Sequence, residues 1–126
     1  MFSQVLRKNG LNETLCKHYF KQLVDALEHI HSNGIAHRDL KLENIMVDDH
    51  FHLKVGDFGL ASDEDYVDEL AGTKIYMAPE QLADEIHNPK KADIYSLGVV
   101  LFVMHSSCFP YRVANEFDDL ALLLQN

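Results

Sequence analysis

Two carboxylates, an amide and a lysine are grouped in this chain in a way that could do chemistry. Asp39, Lys41 and Asn44 fall within His37-Arg38-Asp39-Leu40-Lys41-Leu42-Glu43-Asn44, and Asp57 follows Asn44 by thirteen residues in Asp57-Phe58-Gly59. Carboxylate and amide oxygens are ligands for a hard divalent cation that keeps several of its waters. A third short motif, Ala78-Pro79-Glu80, lies further along the chain. Each motif alone is a weak signal, but their order and separations have to be met together. The bland reading is a set of turn-forming Asx residues, and it leaves that joint order to coincidence. The eight histidines offer no competing centre. His29 and His31 are two apart on one helix and point to different faces, His50 and His52 flank a turn, and no third ligand follows at a zinc-site spacing.

Taken in order, the three motifs resemble the catalytic loop, metal loop and activation-segment end of eukaryotic protein kinases, and the resemblance runs from about residue 13 to about residue 112. It implies a mainly α arrangement within an α+β family fold: a kinase-like C-terminal lobe with a small β-hairpin, residues 1–126 forming a partial kinase domain. The six glycines include no Gly-x-Gly-x-x-Gly run, and no Val-Ala-Ile-Lys strand precedes the first motif, so the N-terminal lobe is expected to be absent. The implied reaction is transfer of the ATP γ-phosphate to a Ser or Thr hydroxyl, with ATP and Mg²⁺ as cofactors. On the resemblance Asp39 is the base that orients the substrate hydroxyl, Lys41 reaches the γ-phosphate, and Thr73 hydrogen-bonds near Asp39. Asn44 and Asp57 are the metal ligands, and Lys41, Glu43, Asn44, Met46 and Asp57 border the nucleotide. Lys41 and Thr73 both match the Ser/Thr rather than the Tyr class, and Glu43 matches a position that pairs with an Arg upstream of the target residue. Tyr19-Phe20-Lys21-Gln22-Leu23 is similar in style to calmodulin-dependent and AMP-activated-like kinases.

Several neighbours read as architecture. His37 and Phe58 are expected to pack, and Asp93 to tie the backbone beside Asp39 to a buried helix. Leu42 stands where Pro is common and Tyr95 where Trp is common, while Glu80 has no evident Arg partner. Arg38 wants an anion. Its candidates are a modified Ser62 or Tyr66, a standing pair with Asp65, Asp68 or Glu69, or none of these, the segment being a solvated acidic loop; the last is the expectation adopted.

The elements that must position these residues follow from periodicity. Leu15, Tyr19, Phe20, Leu23, Val24, Leu27 and Ile30 have the three-and-four spacing of an amphipathic helix over residues 13–31, capped by Asn12 and stopped by Asn33-Gly34. Ile45-Met46-Val47 and His52-Leu53-Lys54-Val55, joined by Asp48-Asp49-His50-Phe51, read as a hairpin whose two ends carry Asn44 and Asp57. Residues 60–74 are acidic and interrupted by Gly72, the pattern of a mobile loop. Pro79 starts a short helix through Leu82. Residues 91–106 form a helix apolar nearly all round, ended by Phe109-Pro110 and expected to be covered in part by Phe20 and Leu27 with an apolar patch left open. Residues 116–124 read as the start of another amphipathic helix.

A chain of 126 residues with a net charge of −9 does not favour a nucleic-acid or anionic-membrane surface, and a basic protein substrate fits better. Cys16 and Cys108 form no Cys-x-x-Cys, residues 1–8 contain no secretory h-region, and the longest apolar run is eight residues. An intracellular, cytoplasmic setting is expected. Two other readings stand beside the enzyme: a catalytically silent kinase-like scaffold, and half of a split kinase completed by a separate N-lobe or regulatory protein. The chain alone is expected to show little or no kinase activity.

Overall fold

Asn12 opens the first helix by accepting the Leu15 N–H at 2.9 Å through its side-chain oxygen, and α1 then runs Glu13–Ser32. The computed structural model describes residues 10–111. Cys16, Tyr19, Leu23, Leu27 and Ile30 make the buried stripe of α1. Leu15 and Val24, counted with the apolar set from periodicity, are exposed, because they lie roughly 80–100° around the helix from the centre of that stripe. Gly34, at φ +80, makes the left-handed stop.

Strands β1 (Ile45–Val47) and β2 (Leu53–Val55) pair antiparallel with Ile45 opposite Val55 and Val47 opposite Leu53. One backbone bond beyond the ladder, from the Gly56 N–H to the Asn44 carbonyl at 2.9 Å, extends the pairing to the hairpin's mouth. The hairpin is fixed to α1 by Gln22, whose side-chain carbonyl accepts the Leu53 N–H at 2.8 Å.

Helix α2 (Pro79–Leu82) begins at a proline, and the Gln81 side chain accepts the Ala78 N–H at 3.0 Å. Helix α3 (Pro89–Ser106) starts two residues earlier than the apolar pattern indicates, since Asn88 caps the Lys91 N–H and Pro89 occupies the first turn. It stops at Ser107 in the left-handed region, ahead of Phe109-Pro110. The core is one cluster, in which Leu23 and Leu27 of α1, Leu97, Val100 and Met104 of α3, and Ile45 are all nearly inaccessible. Of the α3 residues expected to be partly covered by α1, Leu97 and Met104 are buried and Leu101 is half-buried, whereas Ile94 and Phe102 elsewhere on α3 are exposed.

Residues 60–74 are irregular but not loose. Ser62 bridges Ala36, Val67 bridges His87, and Val67 and Ala71 are buried, so an acidic surface is tethered by its few small and apolar residues. The segment expected at residues 116–124, and the N-terminal residues 1–8, lie outside the described residues. Among the described residues no helix is long and apolar enough to cross a membrane. The described residues are mainly helical with one two-stranded sheet.

Candidate active site

Asp93 organises the site from below. Its carboxylate is buried in α3 and accepts the His37 N–H and the Arg38 N–H, both at 2.8 Å, with the His31 imidazole 2.8 Å from Oδ2. Two adjacent backbone amides and an imidazole therefore share one carboxylate, which fixes where the chain turns at Arg38. Arg38 turns there at φ +67, a conformation that a non-glycine residue holds only when its surroundings enforce it. His37 is fully buried and spans the next step. Its Nδ1 accepts the Asp39 N–H at 3.2 Å, so Nε2 carries the proton and donates to the Gly56 carbonyl at 2.8 Å. This one imidazole connects the Asp39 backbone to the residue before Asp57. Its ring also packs on Phe58 at a centroid distance of 4.9 Å. The structural parts read from sequence for His37, Phe58 and Asp93 are the parts they play.

Above this frame Asp39, Lys41 and Thr73 form a closed triangle. The Thr73 hydroxyl accepts from Lys41 Nζ at 2.7 Å and donates to Asp39 Oδ1 at 2.8 Å, while Lys41 Nζ lies 2.9 Å from Asp39 Oδ2. Asn44 joins through its amide nitrogen, 2.9 Å from the Asp39 carbonyl and 3.3 Å from Asp39 Oδ2. With the nitrogen so engaged, the Asn44 side-chain oxygen has no hydrogen bond among the described residues and is left as a donor atom for a cation. Asp57 stands exposed at the other side of the hairpin mouth at φ +58, one carboxylate oxygen 3.3 Å from the Gly59 N–H. An amide oxygen and a carboxylate, one at each end of the hairpin, are oxygen ligands of the kind that suits Mg²⁺ and would be poor for zinc. Among the described residues no group of three His, Cys, Asp or Glu side chains is arranged to hold a metal.

Two further sequence candidates are less engaged. Met46 is 47 % exposed, with its methyl group over Gly56. Glu43 is exposed and lies beside the Tyr76 phenol. That phenol is buried without a well-formed hydrogen bond, and burial, helped by the Glu43 charge, pushes its pKa up to about 12.

Arg38 corrects an expectation. Its anion is neither absent nor an added group: Arg38 Nη2 lies 3.0 Å from Glu69 Oε2, and the same nitrogen is 3.4 Å from the Glu69 carbonyl. Glu80 has no ion-pair partner among the described residues, and its charge helps burial raise the Tyr95 phenol pKa. The parts played by His31 and Gln22 had no signal in spacing. Both act across about thirty or more residues through single side-chain contacts.

Comparison with known proteins bears on the family of the chain. The protein kinase domain model matches residues 1–125. Similar curated proteins include CBL-interacting protein kinase 29 of Oryza sativa subsp. japonica, 44 % identical over 117 residues that make up 91 % of this chain. CBL-interacting serine/threonine-protein kinases 17 and 5 of Arabidopsis thaliana are 37 % and 39 % identical over 91 % and 87 % of the chain. The chain spans about a quarter of the length of these relatives, 26 %, 28 % and 26 % respectively. With the three motifs, the Asp39–Lys41–Thr73 triangle and the family match over nearly its whole length, the chain belongs to the protein kinase domain family.

Proposed function

We propose that the chain carries the phosphoryl-transfer centre of a protein serine/threonine kinase, in which the ATP γ-phosphate passes to a substrate Ser or Thr hydroxyl and ADP leaves. The observation that carries the reading is the closed contact of Asp39, Lys41 and Thr73, with Asn44 tied to Asp39. Asp39 receives the hydroxyl hydrogen and holds the oxygen in line with the phosphorus. Lys41, already 2.9 Å from Asp39, places a positive charge where the transferred oxygens become negative. Thr73 holds these two side chains in register, accepting from the lysine and donating to Asp39 Oδ1 while the lysine pairs with Oδ2. Asn44 and Asp57 would hold Mg²⁺, which supplies neutralisation of the phosphate charge when bound. Lys41, Glu43, Asn44, Met46 and Asp57 border the nucleotide, and exposed Glu43 favours a substrate with a basic residue near its target.

In the same proposal the chain is the larger lobe of a kinase domain, and the groups that cover and clamp the ATP phosphates are supplied from outside these 126 residues. A regulatory protein partner belongs to it as well, supported by the relatives' names, which describe them as CBL-interacting. The test pairs binding with transfer. A non-hydrolysable ATP analogue should bind the chain more tightly with Mg²⁺, and Asp57→Asn should remove that increment. Supplied with the N-terminal lobe of a relative, the chain should label a Ser/Thr peptide and not a Tyr peptide, and Asp39→Asn should abolish labelling. Mg²⁺-independent binding, or labelling untouched by Asp39→Asn, would refute the assignment.

A further inference from the structure

Arg38 and Asp39 are adjacent, and each holds one end of the same five-residue segment: Arg38 holds Glu69 and Asp39 holds Thr73. The guanidinium is 9 % exposed while its partner carboxylate is 72 % exposed, so the cation is the buried member and needs a counter-charge brought to it. Between the two contacts the segment lies directly on the backbone it is tied to. A Cβ on Gly72 would come within 2.6 Å of the Arg38 carbonyl, Gly72 is at φ +115, and Ala71 is buried. Glu69 is the carboxylate that reaches Arg38. Asp65 lies toward Lys90, at 3.9 Å.

We propose that Glu69 is a built-in anion for Arg38, so that this chain seats residues 69–73, and with them Thr73 on Asp39, without a phosphoryl group added to the segment. A phosphorylated residue orders such a segment by offering a buried arginine a charged acceptor, and a carboxylate at hydrogen-bonding distance offers the same contact at lower charge. Glu69 is thus a positioning residue that acts through Arg38 and Thr73. Only the purpose of the Thr73–Asp39 contact rests on the kinase reading; the seating of the segment does not.

The test needs no catalysis. Inorganic phosphate is titrated calorimetrically into the full chain, Glu69→Ala, and Glu69→Ala combined with Arg38→Ala, while amide exchange is followed at Tyr76, whose N–H bonds the Thr73 carbonyl, and at Val67, bonded to His87. The expected result is phosphate binding by Glu69→Ala alone. Exchange at Tyr76 should be several-fold faster in that variant, should slow again on adding phosphate, and should be near normal in Glu69→Asp. Should Glu69→Ala unfold the chain, Glu69→Gln removes the charge at nearly constant size and carries the same readouts. Phosphate binding to the unaltered chain, or Tyr76 exchange indifferent to loss of the Glu69 charge, would overturn the proposal. A chain that transfers no phosphoryl group yet gains phosphate binding in Glu69→Ala would sink the kinase reading and leave Glu69 in its role.

Discussion

Thr73 places one hydroxyl between a cation and a carboxylate, accepting from the first and donating to the second, and valine can do neither. With the chain completed by a relative's N-terminal lobe, Thr73→Val should lower kcat by about 10–100-fold with little change in the KM for ATP, and Thr73→Ser should recover most of it. Equal losses in both variants would show that the methyl group, and not the hydroxyl, matters. Tyr76 yields a prediction in pH. An unfolded tyrosine titrates near 10, whereas the folded phenol is pushed up to about 12, first by burial and then by the Glu43 charge. The folded chain therefore keeps a proton that the unfolded chain releases. The associated stability is fully present below about pH 10 and is lost as pH rises toward 12. Tyr76→Phe should remove part of that alkaline loss, leaving the part due to Tyr95. Because the buried hydroxyl lacks a well-formed partner, the same change should alter stability at pH 7 by less than about 1 kcal/mol in denaturant melts. A larger loss would mean that the hydroxyl has an effective acceptor. At this scale the motif residues were legible because their types and order are constrained together. Glu69 was one of several acidic candidates, and only its position over Arg38 distinguishes it.

Element by element, the site hangs from three supports: α3 through Asp93, α1 through Gln22, and the hairpin through Asn44 and Gly56. Removing Asp93 strands two amides at once, that of His37 buried and that of Arg38 half-buried. Asp93→Asn, which keeps one carbonyl acceptor, should cost about 1–3 kcal/mol, and Asp93→Ala about 3–5 kcal/mol, read from urea midpoints. Asp93→Ala within experimental error of the unaltered chain would mean that water replaces the carboxylate. Gln22→Ala should be milder, about 1 kcal/mol, with faster exchange at the Leu53 amide as its local signature. The helices and the hairpin were readable from periodicity and caps, since Asn12, Gly34 and Pro79 act over a few residues. The helix starting at Pro89 was read two residues short because apolar periodicity is blind to a polar first turn, which Asn88 and Pro89 mark instead. Residues 60–74 looked mobile because their composition is acidic. What tethers them is two isolated bridges, to Ala36 and His87, the contacts of Glu69 with Arg38 and of Thr73 with Asp39, and the burial of Val67 and Ala71, and these partners lie far away in sequence.

On the scale of the molecule, the net charge of −9 is concentrated in part on one segment, where Asp63, Glu64, Asp65, Asp68 and Glu69 are all exposed. The groove of about 590 Å³ between α1 and α3 is mixed, its apolar residues Cys16, Phe20, Leu101 and Phe102 lying beside Glu13, Lys17 and His105. The groups proposed to orient a substrate hydroxyl, Asp39, Lys41 and Thr73, lie within the described residues and are braced against one another. The phosphate cover is another matter, because none of the six glycines of the 126 residues falls in a Gly-x-Gly-x-x-Gly run. Positioning supplies most of the rate in phosphoryl transfer, and a displacement of about 1 Å at a reacting group can cost about 10²-fold. On the proposed reading, a nucleotide held only from the side of Asn44 and Asp57 would keep the neutralisation that Mg²⁺ supplies and would lose control of the γ-phosphate angle. The chain by itself should therefore phosphorylate a Ser/Thr peptide at least about 10²-fold more slowly than when supplied with a kinase N-terminal lobe, while still binding an ATP analogue weakly in a Mg²⁺-dependent manner. Rapid labelling by the chain alone, abolished by Asp39→Asn, would uphold the roles given to the residues and show that these 126 residues orient the phosphate without help.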